Sequence, residues 1–292
     1  MRQAPLNARA TSLEYESESL ASGLPALMVE AERLASATSL GVHGRRKAGM
    51  GETFWQFRRY RAEDPSTAVD WRQSAKSTHL YVREREWEAA QAVWFLCDRS
   101  AGMFFGSGGT RKVDRAALLT AALAVLMLRG GERIALFGDA RPPQSSRIAL
   151  RRMLLALADP APAQASMPQA SLIGKNGQLM WLSDFLFPHA VLSEALARFV
   201  SLGVQGHLIH VIDPQEEDFP FTGRTRFDDP GGRQSETIGR AENVASRYRA
   251  RFRAHGEEVA RLARRQNFSY LAHRTDRPPQ TALVAMYAAV SG

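Results

Sequence analysis

The chain has 292 residues, of which 45% are hydrophobic, so it is long enough to bury a sizeable core in one large or two smaller domains. A single cysteine, Cys97, excludes an internal disulfide and fits a reducing compartment. The formal net charge of +8 suits an anionic or acidic partner, but the arginines are dispersed along the chain, which is typical of a solvated surface rather than of a nucleic-acid site.

The N-terminal third is predicted to lie outside the main domain. Residues 1–21 are polar and rich in Ser and Glu, and we expect a loose arm there. Residues 22–88 are expected to form a helix from Leu24 to Ala35, a basic glycine-containing loop at 43–51, and extended aromatic and basic segments that pack on the core. No signal-peptide core or membrane-spanning run is apparent, so we expect a cytoplasmic protein.

The apolar run at residues 92–97 predicts a strand buried on both faces, as at the centre of a parallel sheet. Asp98 and Ser100 follow it directly. In open α/β sheets, ligands bind where the carboxyl ends of the central strands open into a crevice. These two residues are therefore the first candidates for a functional site.

The rest of the chain, residues 89–292, alternates between strand and helix patterns with short connections. This alternation predicts an α/β domain with a mostly parallel central sheet and helices on both faces. The predicted strands are 133–137, 178–182, 206–212 and 268–272, with a hairpin near Gly223, and the predicted helices are 112–128, 148–157, 188–200, a long arginine-rich helix spanning 244–262, and 280–290.

Several separated motifs make residues 40–292 similar to the domain of unknown function 58 family. The motifs are 49–54 (Gly-Met-Gly-Glu-Thr-Phe), 69–71 (Val-Asp-Trp), 80–84 (Leu-Tyr-Val-Arg-Glu), 98–103 (Asp-Arg-Ser-Ala-Gly-Met), 221–227 (Phe-Thr-Gly-Arg-Thr-Arg-Phe) and 273–283 (His-Arg-Thr-Asp-Arg-Pro-Pro-Gln-Thr-Ala-Leu). The resemblance implies a von Willebrand factor A-like, Rossmann-like domain that associates with MoxR-type AAA ATPases. The chain departs from the family at Glu63-Asp64-Pro65 and Thr67, where members commonly carry Gly-Asp-Asp and an arginine.

A von Willebrand factor A-like domain further implies a metal-ion-dependent adhesion site with the pattern Asp-x-Ser-x-Ser, a distant Thr and a distant Asp. Asp98 and Ser100 match this pattern, Gly102 replaces the second Ser, and Asp184 follows another predicted strand. Ser145 or Ser146 would stand for the distant Thr. Mg²⁺ prefers such oxygen ligands. The alternative is that Asp98, Ser100 and Asp184 only cap helices and satisfy backbone amides.

The favoured function is a non-catalytic interaction module, an adaptor or assembly factor for a MoxR-type AAA ATPase or for a client with an acidic group. Its predicted partner-binding residues are Arg59, Asp70, Trp71 and Arg99. Two alternatives stay open: a Mg²⁺-dependent phosphohydrolase with Asp98 as nucleophile, and nucleic-acid binding through residues 45–61. The motif at 273–277 is expected to tie the last strand to the last helix through hydrogen bonds.

Overall fold

The computed structural model describes residues 3–22, 48–49, 53–61, 64, 67, 69–86, 91–139, 141–162, 173, 177–229 and 234–291. Two compact units are present: residues 1–37 together with 91–292, and residues 38–90. The predicted helix at 24–35 and most of the predicted basic loop at 43–51 lie outside the described residues.

In chain order, the helices are α1 (Gln3–Ser22), α2 (Trp71–Ser74), α3 (Lys112–Arg129), α4 (Arg147–Leu157), α5 (His189–Ser201), α6 (Pro214–Asp218), α7 (Glu242–Arg265) and α8 (Pro279–Ser291). The strands are β1 (Ala48–Gly49), β2 (Thr53–Arg59), β3 (Tyr81–Glu86), β4 (Ala92–Cys97), β5 (Arg133–Leu136), β6 (Gln178–Ser183), β7 (Gln205–Ile212), β8 (Thr225–Asp228), β9 (Ser235–Ile238) and β10 (Ser269–Arg274). A 3₁₀ turn spans Ala101–Phe104.

The smaller unit contains an antiparallel sheet of order β1-β3-β2. The expectation of extended segments in this part of the chain is met by β3, which begins at Tyr81. Val69 pairs with Val82 in an isolated bridge, and the chain then turns into the short helix α2 instead of continuing as a strand. Asp70 starts that helix, since its side chain accepts a hydrogen bond from the Gln73 amide at 2.9 Å.

The larger unit is built on a five-stranded parallel sheet of order β10-β7-β6-β4-β5, which confirms the predicted α/β class. From β4 the chain first adds β5 on one side and then returns to add β6, β7 and β10 on the other. The strand order therefore reverses between β4 and β6, and in doubly wound sheets the ligand crevice lies at such a reversal.

Helices cover both faces of this sheet and bury separate apolar clusters. On one face, α3 and α8 pack on the sheet, and α3 is buried around most of its circumference. On the other face, α5 and α7 pack on the sheet around Trp181 of β6, and Phe199 of α5 belongs to the same cluster. All six residues of β6 are buried, as expected for a central parallel strand.

The expectation of a loose N-terminal arm is wrong for residues 3–22, which form α1. Ala10, Leu20 and Ala21 are buried, and Glu18 pairs with Arg129 of α3. Ser17, fully buried within this stripe, interrupts the apolar pattern, so packing on α3 rather than amphipathicity accounts for the helix. No helix in the described ranges is apolar over a length sufficient to span a bilayer.

Candidate functional site at the carboxyl edge of the sheet

Asp98 and Asp184 lie at the same edge of the sheet, the carboxyl edge formed by the C-terminal ends of its strands. The Asp98 amide donates to the Leu182 carbonyl at 2.9 Å, so it extends the pairing between β4 and β6 by one residue. The Asp98 carboxylate accepts hydrogen bonds from the Ser100 amide at 2.7 Å and the Ser183 hydroxyl at 2.6 Å. Burial raises the pKa of Asp98, and these two hydrogen bonds act against that rise.

Asp184 is buried at the reversal point and is held from both sides of its carboxylate. Oδ1 accepts a hydrogen bond from the Leu186 amide at 3.1 Å, and Oδ2 accepts one from Lys112 Nζ at 2.9 Å. The next residue, Phe185, has φ of 52°, a left-handed conformation that is strained for an aromatic residue. The Ser183 hydroxyl accepts the Phe185 amide at 2.9 Å and so supports this turn.

Lys112 is the first residue of α3, and its ammonium lies in the crevice. The side chain is fully buried, and Nζ lies 2.6 Å from Glu216 Oε1 as well as 2.9 Å from Asp184 Oδ2. Burial raises the pKa of Glu216, whereas the nearby Lys112 charge lowers it. One ammonium thus compensates two carboxylates from the loops that follow β6 and β7, and we call Lys112, Asp184 and Glu216 the ion triad.

Asp213 fixes the loop that carries Glu216. It caps α6, accepting the Gln215 amide at 2.9 Å, and it also accepts the Ser107 hydroxyl at 2.6 Å and the Ser107 amide at 2.8 Å. Asp213 is fully buried. Its carboxylate therefore joins the loop after β4 to the loop after β7 around the ion triad.

Gly102 lies directly against the triad. A Cβ atom on Gly102 would stand 2.9 Å from Asp184 Oδ2, closer than side chains tolerate. The position where the adhesion-site pattern has its second Ser is therefore next to a carboxylate that already contacts Lys112.

Ser145 and Ser146, predicted for the distant Thr, lie away from this edge. Gln144 pairs antiparallel with Ile134, which is level with Val93 near the start of β4. Val93 and Asp98 are five residues apart, or about 16 Å along an extended strand. The Ser146 hydroxyl accepts the Ala149 amide at 3.2 Å and caps α4. The structure thus gives Ser146 a capping role at the opposite end of the sheet.

The predicted partner-binding residues belong to two different units, and each is described within its own unit. Arg99 donates to the carbonyls of Ala156, Asp159 and Ala161, so its guanidinium closes the C-terminal end of α4. Arg59, Asp70 and Trp71 belong to the smaller unit, where Asp70 is a helix cap and Trp71 is exposed.

The side-chain hydrogen bonds found for the motif at 273–277 in the described residues link β10 to α3 and α6. Arg115, one turn beyond Lys112, donates to the carbonyls of Thr275 at 2.8 Å and Arg277 at 2.6 Å and hydrogen-bonds the His273 ring at 3.1 Å. Arg274 pairs with acidic residues of α6 and with Asp276. These contacts of the motif hold β10, α3 and α6 together beside the carboxyl edge.

The chemistry available at this edge is limited by how fully its polar groups are engaged. Each oxygen of Asp98 accepts one hydrogen bond from within the chain, and such bonds make the carboxylate a weaker nucleophile. Burial raises the pKa of Cys97 to about 12, which favours the unreactive thiol. The nucleic-acid alternative concerns residues 45–61, six of which lie outside the described residues, and it stays a prediction.

Sequence reasoning identified the two aspartates and overlooked Lys112 and Glu216. One signal was present: a lysine at the first position of a helix faces the positive end of the helix dipole, where acidic residues are preferred. A lysine at this position is therefore expected where nearby carboxylates compensate its charge.

A family model described as "Protein of unknown function DUF58" matches residues 56–258. The chain belongs to this family. Relatives are the uncharacterized proteins Mb1516 of Mycobacterium bovis and Rv1480 of Mycobacterium tuberculosis, each 26% identical over 282 residues, which cover 90% of this chain and 87% of the relative.

Two solved structures are similar to the DUF58 chain at low identity. One is the conserved hypothetical protein BatB from Bacteroides thetaiotaomicron, with 17% identity and a TM-score of 0.42, covering 70% of this chain and 98% of that one. The other is an aerotolerance-related membrane protein from Bacteroides fragilis, with 15% identity and a TM-score of 0.44, covering 69% and 99%.

Proposed function

We propose that this DUF58 protein is a non-catalytic interaction module, von Willebrand factor A-like in type, that serves as an adaptor or assembly factor for a MoxR-type AAA ATPase or its client. The observation that carries the proposal is the combination of paired acidic groups and exposed apolar side chains at the carboxyl edge. Its acidic groups are satisfied within the chain, while the loops that hold them expose apolar side chains to solvent.

The exposed apolar rim consists of Phe105 and Leu186. Phe105 follows Gly102 by three residues and is 38% exposed, and Leu186 follows Asp184 by two residues and is 55% exposed. Because Gly102 and the Asp184 carboxylate are neighbours, both rim residues belong to loops that meet at this edge. Apolar side chains beside a polar crevice are typical of protein-binding surfaces.

The charge of the domain favours an acidic partner. Helix α7 carries seven arginines and three glutamates. Of these arginines, Arg247, Arg251 and Arg253 are exposed and form no ion pair with the residues that the structure describes. A basic surface of this kind accelerates encounter with an acidic protein and suppresses encounter with basic ones.

The identity of the partner is supported by the family. Membership of DUF58 agrees with the resemblance seen in the sequence, and that resemblance implies association with MoxR-type AAA ATPases. The client's acidic group would then be recognised by surface arginines, because Lys112 is fully buried and already paired with two carboxylates.

The test is direct binding of the full chain to a MoxR-type AAA ATPase from the same genome, measured by biolayer interferometry and by co-elution. We expect Phe105→Asp and Leu186→Asp to weaken binding at least about tenfold, since buried apolar anchors dominate interfaces. Ile148→Asp is the matched control, because Ile148 is also exposed, at 71%, but lies on α4 beside Ser146.

Equal effects of the rim and control variants, or no complex with the ATPase, would contradict the proposal. Turnover of a generic phosphate ester that disappears in Asp98→Asn would instead favour the phosphohydrolase alternative.

A further inference from the structure

The crevice at the carboxyl edge already contains a cation, the ammonium of Lys112. Lysine is almost never fully buried unless it is paired, and here the side chain has no exposed surface. Asp184 directly follows β6, and Glu216 lies in the short helix α6 that follows β7. The ammonium therefore stands where the loops after β6 and β7 meet the start of α3.

The residues present do not fit a magnesium ion at this place. Mg²⁺ demands near-octahedral oxygen coordination and is usually held through one or two carboxylates plus waters. A divalent cation bound to Asp184 would lie beside the ammonium of Lys112, whose Nζ is 2.9 Å from Oδ2, and the two like charges would repel. Asp184 Oδ1 accepts a backbone amide, and each Asp98 oxygen already accepts one internal hydrogen bond. Within the described ranges, no group of three or more His, Cys, Asp or Glu residues is arranged to hold a metal.

Two further ligands of the expected pattern are lost for separate reasons. Gly102 has no hydroxyl, and a side chain there would collide with Asp184 Oδ2. Ser146 caps α4, and its neighbour Gln144 pairs near the amino end of the sheet, so neither Ser145 nor Ser146 completes the set.

We propose that Lys112 is a built-in cation that takes the place of the divalent ion, so that the carboxyl edge is assembled without metal. Its single charge compensates Asp184 and Glu216 and joins α3 to the loops after β6 and β7. An ammonium has no open coordination position, so a partner's carboxylate cannot complete it as it would complete a metal site. The structural role of the cation is retained and the metal-dependent recognition is lost.

This inference concerns the isolated chain, and its test needs no partner. We expect isothermal titration calorimetry of the full-length protein with MgCl₂ or MnCl₂ to show no saturable binding. Likewise, the melting temperature should be the same in EDTA and in millimolar Mg²⁺. A stoichiometric Mg²⁺ or Mn²⁺ site in the unaltered protein, with melting raised by the metal, overturns the proposal without any variant.

Variants of Lys112 test the second half of the proposal. Lys112→Met leaves two buried carboxylates without a counter-charge, and we expect the melting temperature to fall by about 10 °C. Arg111→Met is the matched control, because Arg111 is adjacent but pairs with Asp114 in a partly exposed ion pair. A Lys112→Met protein as stable as the control would refute the role of the ammonium.

Lys112→Ala adds a rescue measurement. It opens space beside Asp184 and Glu216, so we expect methylammonium or Mn²⁺ to raise the melting temperature of this variant and to leave that of the Arg111→Met control unchanged. No rescue by either cation counts against a cation site. If Lys112→Ala fails to fold, Glu216→Gln should be milder than Lys112→Met, because Asp184 keeps its ammonium.

Discussion

Substituting Gly102 by Ala tests how tightly the ion triad is packed. The added Cβ would stand 2.9 Å from Asp184 Oδ2, and ordinary contact begins at 3.4 Å, so the carboxylate must retreat by about 0.5 Å. If the Lys112 contact lengthens from 2.9 Å by the same amount, the Coulomb attraction weakens by about 0.8 kcal/mol at an effective dielectric constant of about 20. Weakening a hydrogen bond to a charged group adds about 1 kcal/mol.

We therefore expect Gly102→Ala to lower the free energy of unfolding by about 2 kcal/mol relative to a matched glycine substitution. Gly108→Ala is that control, since it lies in the same loop and its Cβ would meet nothing within 4 Å. Both changes restrict the unfolded chain equally, so their difference isolates the contact with Asp184.

The assay is urea unfolding followed by circular dichroism, for both variants and for each combined with Lys112→Met. In the Lys112→Met background, the Asp184 carboxylate is free to move, and the difference between Gly102→Ala and Gly108→Ala should shrink. The reasoning is refuted if Gly102→Ala is as stable as Gly108→Ala in the unaltered protein, or if the difference persists without the ammonium.

Two other predictions concern the groups that brace the sheet. Burial lowers the pKa of His210 from 6.5 to about 4, and the nearby His255 adds to the shift. Below pH 6.5 the unfolded chain therefore binds more protons than the folded chain. The free energy of unfolding consequently falls as the pH drops toward 4. The loss of unfolding free energy attributable to His210 is on the order of 3 kcal/mol. We expect urea unfolding of His210→Gln, from neutral pH to about pH 4, to show a correspondingly weaker dependence of stability on pH. The same pH dependence in His210→Gln and the unaltered protein would contradict this. Arg115→Lys should lower the free energy of unfolding in urea by about 2 kcal/mol, because a single ammonium cannot reproduce the contacts to the carbonyls of Thr275 and Arg277. The control is Arg151→Lys at an exposed position, which should change stability by less than about 0.5 kcal/mol. Equal effects of the two substitutions would refute this.

The parallel sheet could be predicted because its strands are apolar throughout and separated by helical patterns. Asp98 and Asp184 could be predicted for a related reason: each directly follows such a strand, and the carboxyl ends of parallel strands share one edge. The apolar strands and the aspartates that directly follow them can both be recognised in the local sequence, without knowing which strands are neighbours in the sheet.

The ion triad could not be predicted in the same way. Lys112 lies 72 residues from Asp184 and 104 from Glu216, and nothing local in the sequence joins them. Glu216 also belongs to α6, a five-residue helix in a segment that lies outside the predicted strands and helices. Helix α1 escaped prediction similarly, because its burial depends on α3 rather than on its own pattern.

The absence of a side chain at Gly102 and the buried position of the Lys112 ammonium are physically linked through Asp184. A lysine at the first position of a helix is disfavoured by the helix dipole by about 0.3–1 kcal/mol, and burial adds a larger desolvation cost. Two carboxylates offset these costs only if they approach the ammonium closely, and Asp184 does so through the space that a side chain on residue 102 would fill. The glycine that departs from the metal-binding pattern is therefore what allows the ammonium to be held there.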